Sequence, residues 1–319
     1  MHPGNLGVHS DILETLRKIP GFADRDFSSL RYERLPGLTN CSFKLMVNGE
    51  RYVLRLAGAG SDNYIDRARE YHNARITSSI GVNPEILYFN PVSGVQLSRY
   101  ISGQSLDSER LSDPLFIQHT VELLQRLHRC GRRFRGRMNL FPTLDSYLLR
   151  VERNNSPYSS RFQGLRAAAE PARLVLARMP QPLCPCHIDP APHNFLYCDS
   201  ANSTDRLYLL DWEYSAMCEP VWDLADLAVE AGFDEAQDVD LLRRYDGEVT
   251  HLSLSRLLIY KALLCLLGAI WGALRLAVGA DNHTVSHLID RRSTRAAELL
   301  AEPGFQRCLA TLQSSSPGA

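Results

Sequence analysis

The stretch "HIDPAPHN", residues 187–194, carries most of the information about the fold of this chain. It places two histidines, an aspartate and an asparagine within eight positions, directly after "CPC", residues 184–186. These residue types are compatible with a metal site, a catalytic loop or a polar turn. The spacing favours the second interpretation, because Asp189 and Asn194 lie five positions apart.

Asp189 and Asn194 match the H-x-D-x-x-x-x-N catalytic loop of protein kinases and their relatives. Phosphoryl transfer needs a carboxylate that accepts the proton of the attacking hydroxyl, and an amide oxygen that helps to hold Mg²⁺. Asp211 follows Asn194 by seventeen residues, after the apolar run "LYLL". The pattern predicts Asp189 as the catalytic base, Asn194 and Asp211 as Mg²⁺ ligands, and His187 as a residue that braces the loop.

A cation on a strand and a glutamate on the following helix would complete the phosphate site. The alternating stretch "YVLRL", residues 52–56, offers Arg55, and the helix after it offers Glu70. Protein kinases have lysine at this place, and arginine differs from it by presenting a planar fork of donors. The turn "LPGLTN", residues 35–40, is expected to lie over the phosphates, although it holds a single glycine.

Composition and charge describe a globular chain with no general attraction to polyanions. Of 319 residues, 45% are hydrophobic and 22% are charged, and the formal net charge is −1. We therefore expect no nucleic-acid partner. The N-terminus lacks the pattern of a secretory signal, and the apolar run 262–274 is too short to span a bilayer. We expect a cytoplasmic monomer or homodimer with no membrane insertion and with eight reduced cysteines.

Hydrophobic periodicity divides the chain into a β-rich part and a helical part. Over residues 25–101, alternating runs around the hairpin signal Asn48-Gly49 predict a small antiparallel sheet. One helix, which Ser61 would cap, interrupts this sheet. From Pro114 onward, most of the apolar spacing is helical.

Four stretches together resemble the aminoglycoside phosphotransferase and choline kinase superfamily, namely "CHIDPAPHNFL", "LYLLDWEYSAMCEPVWDLADLA", "YVLRLAG" and "ELLQRLH". The resemblance covers residues 25–280 and is closest to the bacterial choline kinase branch. It implies an α+β, bilobal, protein-kinase-like fold. The N-lobe, residues 1–101, would hold a small antiparallel sheet plus a helix and bind the nucleotide phosphates and adenine. The C-lobe, residues 102–319, would be larger and mainly helical, with the catalytic loop, the metal motif and the acceptor pocket.

The same resemblance implies ATP and Mg²⁺ as cofactors. It places Arg55 and Glu70 at the phosphates and makes "SRYI", residues 98–101, the hinge that contacts adenine. Arg99 and Ile101 are therefore candidate nucleotide-binding residues. Since choline kinases also have arginine in the lysine position, Arg55 is similar to that branch and does not indicate lost activity.

The acceptor is predicted from aromatic residues near the metal motif. All three tryptophans lie in the C-terminal half, and aromatic faces hold quaternary ammonium groups by cation–π attraction. The candidate acceptor-binding residues are Glu213, Tyr214, Trp222, Asp223 and Trp271. The predicted function is an ATP- and Mg²⁺-dependent phosphotransferase acting on the hydroxyl of a small cationic alcohol, with choline as the first candidate.

Several alternatives stay open at this point. Thiamine is another cationic alcohol, and an acidic cluster, residues 234–240, would attract a polycationic aminoglycoside. A catalytically silent nucleotide-binding module would have the same fold, and a metal-dependent hydrolase would use His187, Asp189 and His193. A structural zinc site at Cys184, Cys186 and His187 is disfavoured, because no second pair of ligands follows.

Overall fold

The computed structural model describes residues 4–36, 40–58, 65–198, 207–279 and 282–315. The chain divides into two compact units, and neither is continuous along the whole of its sequence. The first unit comprises Met1–Gln104 and Cys198–Tyr214, and the second comprises Ser105–Tyr197 and Ser215–Ala319. The segment with Asp211 therefore groups with the N-terminal residues, where, for example, the Leu209 amide donates to the Val82 carbonyl at 2.9 Å. The division of functions between residues 1–101 and 102–319 stays a prediction.

The first unit contains a five-stranded antiparallel sheet, whose neighbouring strands are, in order, Arg31–Leu35, Cys41–Val47, Glu50–Leu56, Gln96–Arg99 and Ile86–Phe89. Its described elements are α1 (Gly4–Arg17), β1 (Arg31–Leu35), β2 (Cys41–Val47), β3 (Glu50–Leu56), α2 (Arg67–Ser79), β4 (Ile86–Phe89), β5 (Gln96–Arg99) and β9 (Leu207–Leu209). Helix α1 contributes Ile12 and Leu16 to the same buried cluster as Leu45 and Leu54 of the sheet. The predicted sheet with one helix between its strands is thus present, together with an N-terminal helix that packs on it.

The turn Asn48-Gly49 fixes the register of β2 and β3. Both residues have positive φ, 51° and 79°, as a two-residue hairpin turn requires, and Val47 pairs with Glu50. This register places Leu54 opposite Phe43 on one side and opposite Leu97 of β5 on the other. Because successive side chains on a strand alternate between the two faces, Arg55 lies on the face opposite Leu54.

Helix α2 begins five residues later than a cap at Ser61 would predict. The side chain of Asp66 caps it by accepting a hydrogen bond from the Arg69 amide at 2.9 Å. The predicted cap, Ser61, lies outside the described residues. An aspartate in extended conformation satisfies an otherwise unpaired amide of the first turn, and this gives the helix its start.

The second unit is mainly helical. Its described elements are β6 (Gln104–Ser105), which begins at the boundary, α3 (Ser108–Leu111), α4 (Pro114–His128), α5 (Leu140–Arg153), α6 (Ser159–Ala168), α7 (Glu170–Arg178), β7 (Cys184–Cys186), a 3₁₀ helix (Pro192–Asn194), β8 (Phe195–Tyr197), β10 (Ala216–Cys218), α8 (Val221–Ala231), α9 (Glu235–Asp246), α10 (His251–Ala277), α11 (Asn282–Ala301) and α12 (Pro303–Ser314). Strands β7 and β10 form an antiparallel pair.

Helix α10 lies in the core of the second unit. With 27 residues it is longer than the apolar run 262–274, and by length and composition it could cross a membrane. Most of its apolar window is buried inside the protein, as expected of a core helix. Gly272 permits the close approach of α11, because a Cβ atom at this position would lie 2.8 Å from a side-chain carbon of Ile289.

A buried ion pair joins α10 to α9. The Lys261 ammonium group lies 2.5 Å from the Asp238 carboxylate and also donates to the Phe233 carbonyl at 3.0 Å. Burial raises the pKa of Asp238 to about 6, and the charge of Lys261 opposes this shift. Since the shifted pKa exceeds the ordinary value of 3.8, the protonated carboxyl favours folding below pH 3.8, and this contribution is lost as the pH rises through about 6.

We predict that Lys261→Met lowers the urea-unfolding midpoint, because it leaves the buried Asp238 without its cation. Removing one partner of a buried pair typically costs about 3–5 kcal/mol, whereas replacing both by apolar residues is often near neutral. The double variant Asp238→Leu/Lys261→Met should therefore recover most of the loss. Arg244→Met is the control, since it breaks the more exposed pair with Asp240 and should cost under about 1 kcal/mol. A single variant as stable as the wild type would contradict the assigned pair.

Candidate active site

The predicted catalytic loop runs from β7 into the 3₁₀ helix of the second unit. Asp189 is half-buried, and Asn194 is buried at the end of this 3₁₀ helix. The side-chain amide of Asn194 donates through Nδ2 to the Asp189 carbonyl at 2.9 Å. The structure therefore brings together the two residues that the spacing singled out, and the Asn194 amide presents its oxygen as the atom suited to a metal.

The residue before Asp189 has a strained backbone that helix α8 holds in place. Ile188 has φ of 78°, a region that β-branched residues rarely adopt. Its amide donates to Asp223 Oδ1 at 2.8 Å, and its carbonyl accepts from Trp222 Nε1 at 3.0 Å. Both backbone polar groups of the strained residue are thus bound by two consecutive side chains of one helix.

Asp223 is the centre of a larger network in the second unit. This fully buried carboxylate also accepts from the His187 amide at 2.7 Å, and its Oδ2 lies 3.0 Å from Nε2 of His128. The other ring nitrogen of His128 lies 2.7 Å from the Tyr245 hydroxyl. Asp223 therefore braces the loop, and His128 supports Asp223, while the bracing role of the His187 side chain stays a prediction.

In the first unit, three residues far apart in sequence meet around one guanidinium group. Arg55 Nη2 lies 2.5 Å from Glu70 Oε1, and Arg55 Nη1 lies 3.5 Å from Asp211 Oδ1. Strand β3 supplies Arg55, helix α2 supplies Glu70, and Asp211 follows β9. The predicted cation, its glutamate and the predicted metal ligand form one cluster.

Asp211 has two unusual features within this cluster. Its φ is 65°, and its Oδ1 is buried without a hydrogen-bond partner among the described residues, although it faces Arg55. Burial, and then the charge of Glu213, raise the pKa of Asp211 to about 7, which Arg55 opposes. A carboxylate oxygen that lacks a hydrogen bond in a buried position is suited to a cation as its partner.

Glu213, a predicted acceptor-binding residue, is 2% exposed. Asn40 donates to its Oε2 at 3.1 Å, and Arg67 Nη1 lies 3.6 Å from the same oxygen. Arg67 also pairs with Glu70 at 2.7 Å, so Glu213 belongs to the same polar cluster as Arg55. These contacts favour a structural part for its carboxylate.

The other predicted acceptor residues have different surroundings. Trp222 and Asp223 are buried and hold the loop at Ile188, whereas Tyr214 is half-buried. Trp271 of α10 is also half-buried, and the guanidinium carbon of Arg275 lies 5.8 Å from its ring centroid. One face of Trp271 is thus already in contact with a cation of the protein.

The predicted adenine hinge lies at the end of β5. Arg99 is exposed and pairs with Glu85 at 3.2 Å and Glu50 at 3.5 Å, and Ile101 is half-buried. Their role in nucleotide binding stays a prediction. The phosphate turn predicted at residues 35–40 lies partly outside the described residues, which omit 37–39.

The acidic cluster of residues 234–240 is occupied by contacts within the protein. Asp234 caps α9, Asp238 pairs with Lys261, and Asp240 pairs with Arg244, whereas Glu235 is exposed. Three of its four acids thus have internal partners. This weakens the argument for an aminoglycoside acceptor, which depended on that cluster.

Sequence reasoning missed Asp226, which is on α8 one turn after Asp223. Burial, and then the charges of Glu230 and Asp189, hold the pKa of the Asp226 carboxyl well above its usual range. Glu230 is itself contacted by Arg292. Asp226 follows Asp223 by three residues, and Glu230 follows Asp226 by four. This helical spacing places the three acids on one face and is the signal that could have revealed it.

The family model of choline/ethanolamine kinases matches residues 34–244. The chain belongs to the choline/ethanolamine kinase family. LicA of Haemophilus influenzae is 30% identical over 224 residues, which are 68% of this chain and 63% of that relative. The chain therefore spans less than two thirds of the length of this relative.

Solved structures of the same family extend the likeness to nearly the whole chain. A choline/ethanolamine kinase family protein of Mesorhizobium loti is 34% identical, with a TM-score of 0.82 over 96% of this chain and 99% of that one. The choline kinase LicA of Streptococcus pneumoniae is 26% identical, with a TM-score of 0.77 over 92% and 99% of the two chains. The predicted superfamily and the α+β, protein-kinase-like fold are confirmed.

We predict that Trp222→Phe loosens the loop of this kinase-family chain. The change keeps most of the buried ring and removes the Nε1 donor to the Ile188 carbonyl, so stability should fall by about 1 kcal/mol. Hydrogen exchange should accelerate in the peptide that contains Ile188, because its strained conformation loses a constraint. The control, Tyr260→Phe, removes a partly buried hydrogen bond to Glu219 in the same unit and should leave exchange in the loop unchanged. Unchanged exchange in Trp222→Phe would disprove the bracing role.

Proposed function

We propose that this chain transfers the γ-phosphoryl group of ATP, as its Mg²⁺ complex, to the hydroxyl of choline. The observation that carries the proposal is the cluster around Arg55, where Glu70 and Asp211 meet one buried guanidinium group. These residues come from separate parts of the sequence, which predicts Arg55 and Glu70 at the phosphates and Asp211 as a Mg²⁺ ligand. Membership of the choline/ethanolamine kinase family supports the same reaction class.

Nucleotide binding is proposed for the first unit. Glu70 holds the Arg55 guanidinium at 2.5 Å, so the fork is oriented before a ligand arrives and loses little conformational freedom on binding. A solved structure of LicA that is 25% identical to this chain is a complex with AMP, which supports ATP as the donor. Arg99 and Ile101 remain the proposed contacts for adenine.

Asp189 is proposed as the catalytic base. Its carboxylate would accept the proton of the choline hydroxyl as the oxygen attacks the γ-phosphorus and the bond to ADP breaks. The loop supports this role. Asp223 and Trp222 hold Ile188, the residue before Asp189, and Asn194 donates a hydrogen bond to the Asp189 carbonyl. Positioning contributes most of the catalysis, because the transition state is loose and needs little covalent chemistry from the protein.

Asp211 and Asn194 are the proposed Mg²⁺ ligands. The residues fit a hard cation, because Asp211 Oδ1 is buried without a hydrogen bond among the described residues and Asn194 offers an amide oxygen. When bound, the ion would neutralise charge that develops on the transferred group. Arg55 faces Asp211 at 3.5 Å and would keep this carboxylate oriented.

The acidic face of α8 supports a cationic acceptor. Asp226 and Glu230 lie on this helix, and the charge of Asp189 acts on Asp226. A cation bound near Asp189 would favour the ionised form of Asp226, so this helix face fits a quaternary ammonium group better than an anionic alcohol. Trp271 remains the proposed aromatic contact, whereas Trp222, Asp223 and Glu213 are proposed to position the residues around them.

We predict that two aspartate variants separate catalysis from nucleotide binding. Asp189→Asn should abolish ADP release and leave Mg·ATP affinity nearly unchanged, because it removes only the proton acceptor. Asp211→Asn should weaken Mg·ATP binding strongly, which calorimetry would measure. Asp290→Asn is the control, since this exposed aspartate of the second unit pairs with Arg161. Full turnover in Asp189→Asn would refute the assigned base, and full Mg-dependent affinity in Asp211→Asn would refute the assigned ligand.

The acceptor is identified by ADP release with choline, ethanolamine, thiamine and an aminoglycoside. We predict that choline gives the highest kcat/KM. In Trp271→Ala, the KM for choline should rise about tenfold, because a cation–π contact is worth about 1–2 kcal/mol. The KM for ATP should stay unchanged. Trp271→Phe keeps an aromatic face and should lose less. Equal effects on both KM values would show that Trp271 only packs. ATP binding without turnover on any acceptor would favour a silent module.

A further inference from the structure

His128, Cys184 and Cys186 form a compact group of metal-binding side chains in the second unit. The two sulfur atoms lie 3.6 Å apart, and one ligand atom from each of the three residues lies within 4.8 Å of the others. Both cysteines are free thiols, Cys186 is buried, and Cys184 is half-buried. The group is separate in composition from the proposed Mg²⁺ ligands, which are oxygen atoms.

Strand geometry holds the two thiols together. Cys184 and Cys186 are the ends of the three-residue strand β7, and residues two apart on a strand point to the same face. Strand β10 fixes this orientation, because Cys184 pairs with Cys218 and Cys186 with Ala216. The sulfur pair therefore needs no disulfide to stay close.

His128 is oriented by a carboxylate, as histidine ligands of metals usually are. Nε2 of His128 lies 3.0 Å from the Asp223 carboxylate, which also accepts two backbone amides, and a carboxylate acceptor favours the tautomer with the proton on Nε2. The lone pair is then on Nδ1, which accepts from the Tyr245 hydroxyl at 2.7 Å. Among the described residues, a cation would compete with Tyr245 for this nitrogen, and the contact with Asp223 would remain.

We propose that Cys184, Cys186 and His128 bind a thiophilic divalent cation of the zinc class. Two zinc–sulfur bonds of about 2.3 Å at a tetrahedral angle place the sulfurs about 3.8 Å apart, close to the observed 3.6 Å. Binding releases the two thiol protons and leaves a fourth coordination position for water. The exposed part of Cys184 provides the entry path.

The sequence could not indicate this site correctly. The motif "CPCH" suggested His187 as the third ligand, but the third ligand comes from the end of α4, more than fifty residues earlier. Soft thiolate and imidazole ligands select zinc-class ions over Mg²⁺, which prefers oxygen. The same protein would therefore bind two kinds of cation at chemically different places.

The experiment uses the full chain with reduced thiols and no nucleotide. Cd²⁺ is titrated while the sulfur-to-metal charge-transfer absorption is recorded, and Zn²⁺ binding is measured by calorimetry. We expect one equivalent to bind with this absorption in the wild type. In Cys184→Ser, Zn²⁺ affinity should fall by at least about 100-fold. Loss of an outer-shell partner can already cost about 100-fold, and Cys184 is a proposed direct ligand.

Two matched controls have cysteines of the same intermediate exposure, Cys41→Ser and Cys130→Ser, and both should bind like the wild type. Zn²⁺ should also raise the melting temperature of the wild type and of both controls, but not that of Cys184→Ser. Equal Zn²⁺ affinity in the wild type and Cys184→Ser, or Cd²⁺ binding without sulfur absorption, would overturn the proposal. Because no readout depends on phosphoryl transfer, the result is independent of the proposed kinase activity.

Discussion

The carboxylate of Asp223 holds the second unit's candidate site together. It is fully buried and accepts the backbone amides of His187 and Ile188, and it orients the ring of His128. Hydrogen bonds to a charged group are stronger than neutral ones, and leaving such a group unpaired in the interior is expensive. The position of Asp189 therefore depends on a side chain thirty-four residues further along the chain.

Two residues with positive φ lie in the candidate functional segments of the two units. Ile188 precedes the proposed base, and Asp211 is the proposed metal ligand. Such conformations persist only where the surroundings determine them, and they concentrate at functional sites. At Ile188 the determinants are Asp223 and Trp222, and at Asp211 the neighbouring partner is Arg55. In both places, a charged or polar side chain from another element compensates for an unfavourable backbone.

Local signals predicted much of the fold, and long-range contacts explain what they missed. The Asn48-Gly49 turn fixes its hairpin through φ values that are set by those two residues. The spacing of Asp189 and Asn194 indicated a kinase-like loop, and the resemblance of four short stretches indicated the family that the family model shows. The buried surroundings of Glu213 and the bracing by Trp222 depend on partners distant in sequence, so spacing could not separate packing from binding. Asp226 was missed because helical periodicity alone does not tell which acid on a helix lies near Asp189.

The segment Cys198–Tyr214 gives the first unit a discontinuous sequence. A fragment ending at Gln104 would retain the sheet and the pair of Arg55 with Glu70, but it would lack Asp211 and Glu213. Arg55 and Arg67 would each lose a carboxylate partner, and the buried positive charge would be poorly balanced. The first unit therefore cannot be transferred as one continuous segment of sequence. Truncation or domain exchange at a single junction would separate Arg55 and Arg67 from Asp211 and Glu213, which lie more than a hundred residues later in the chain.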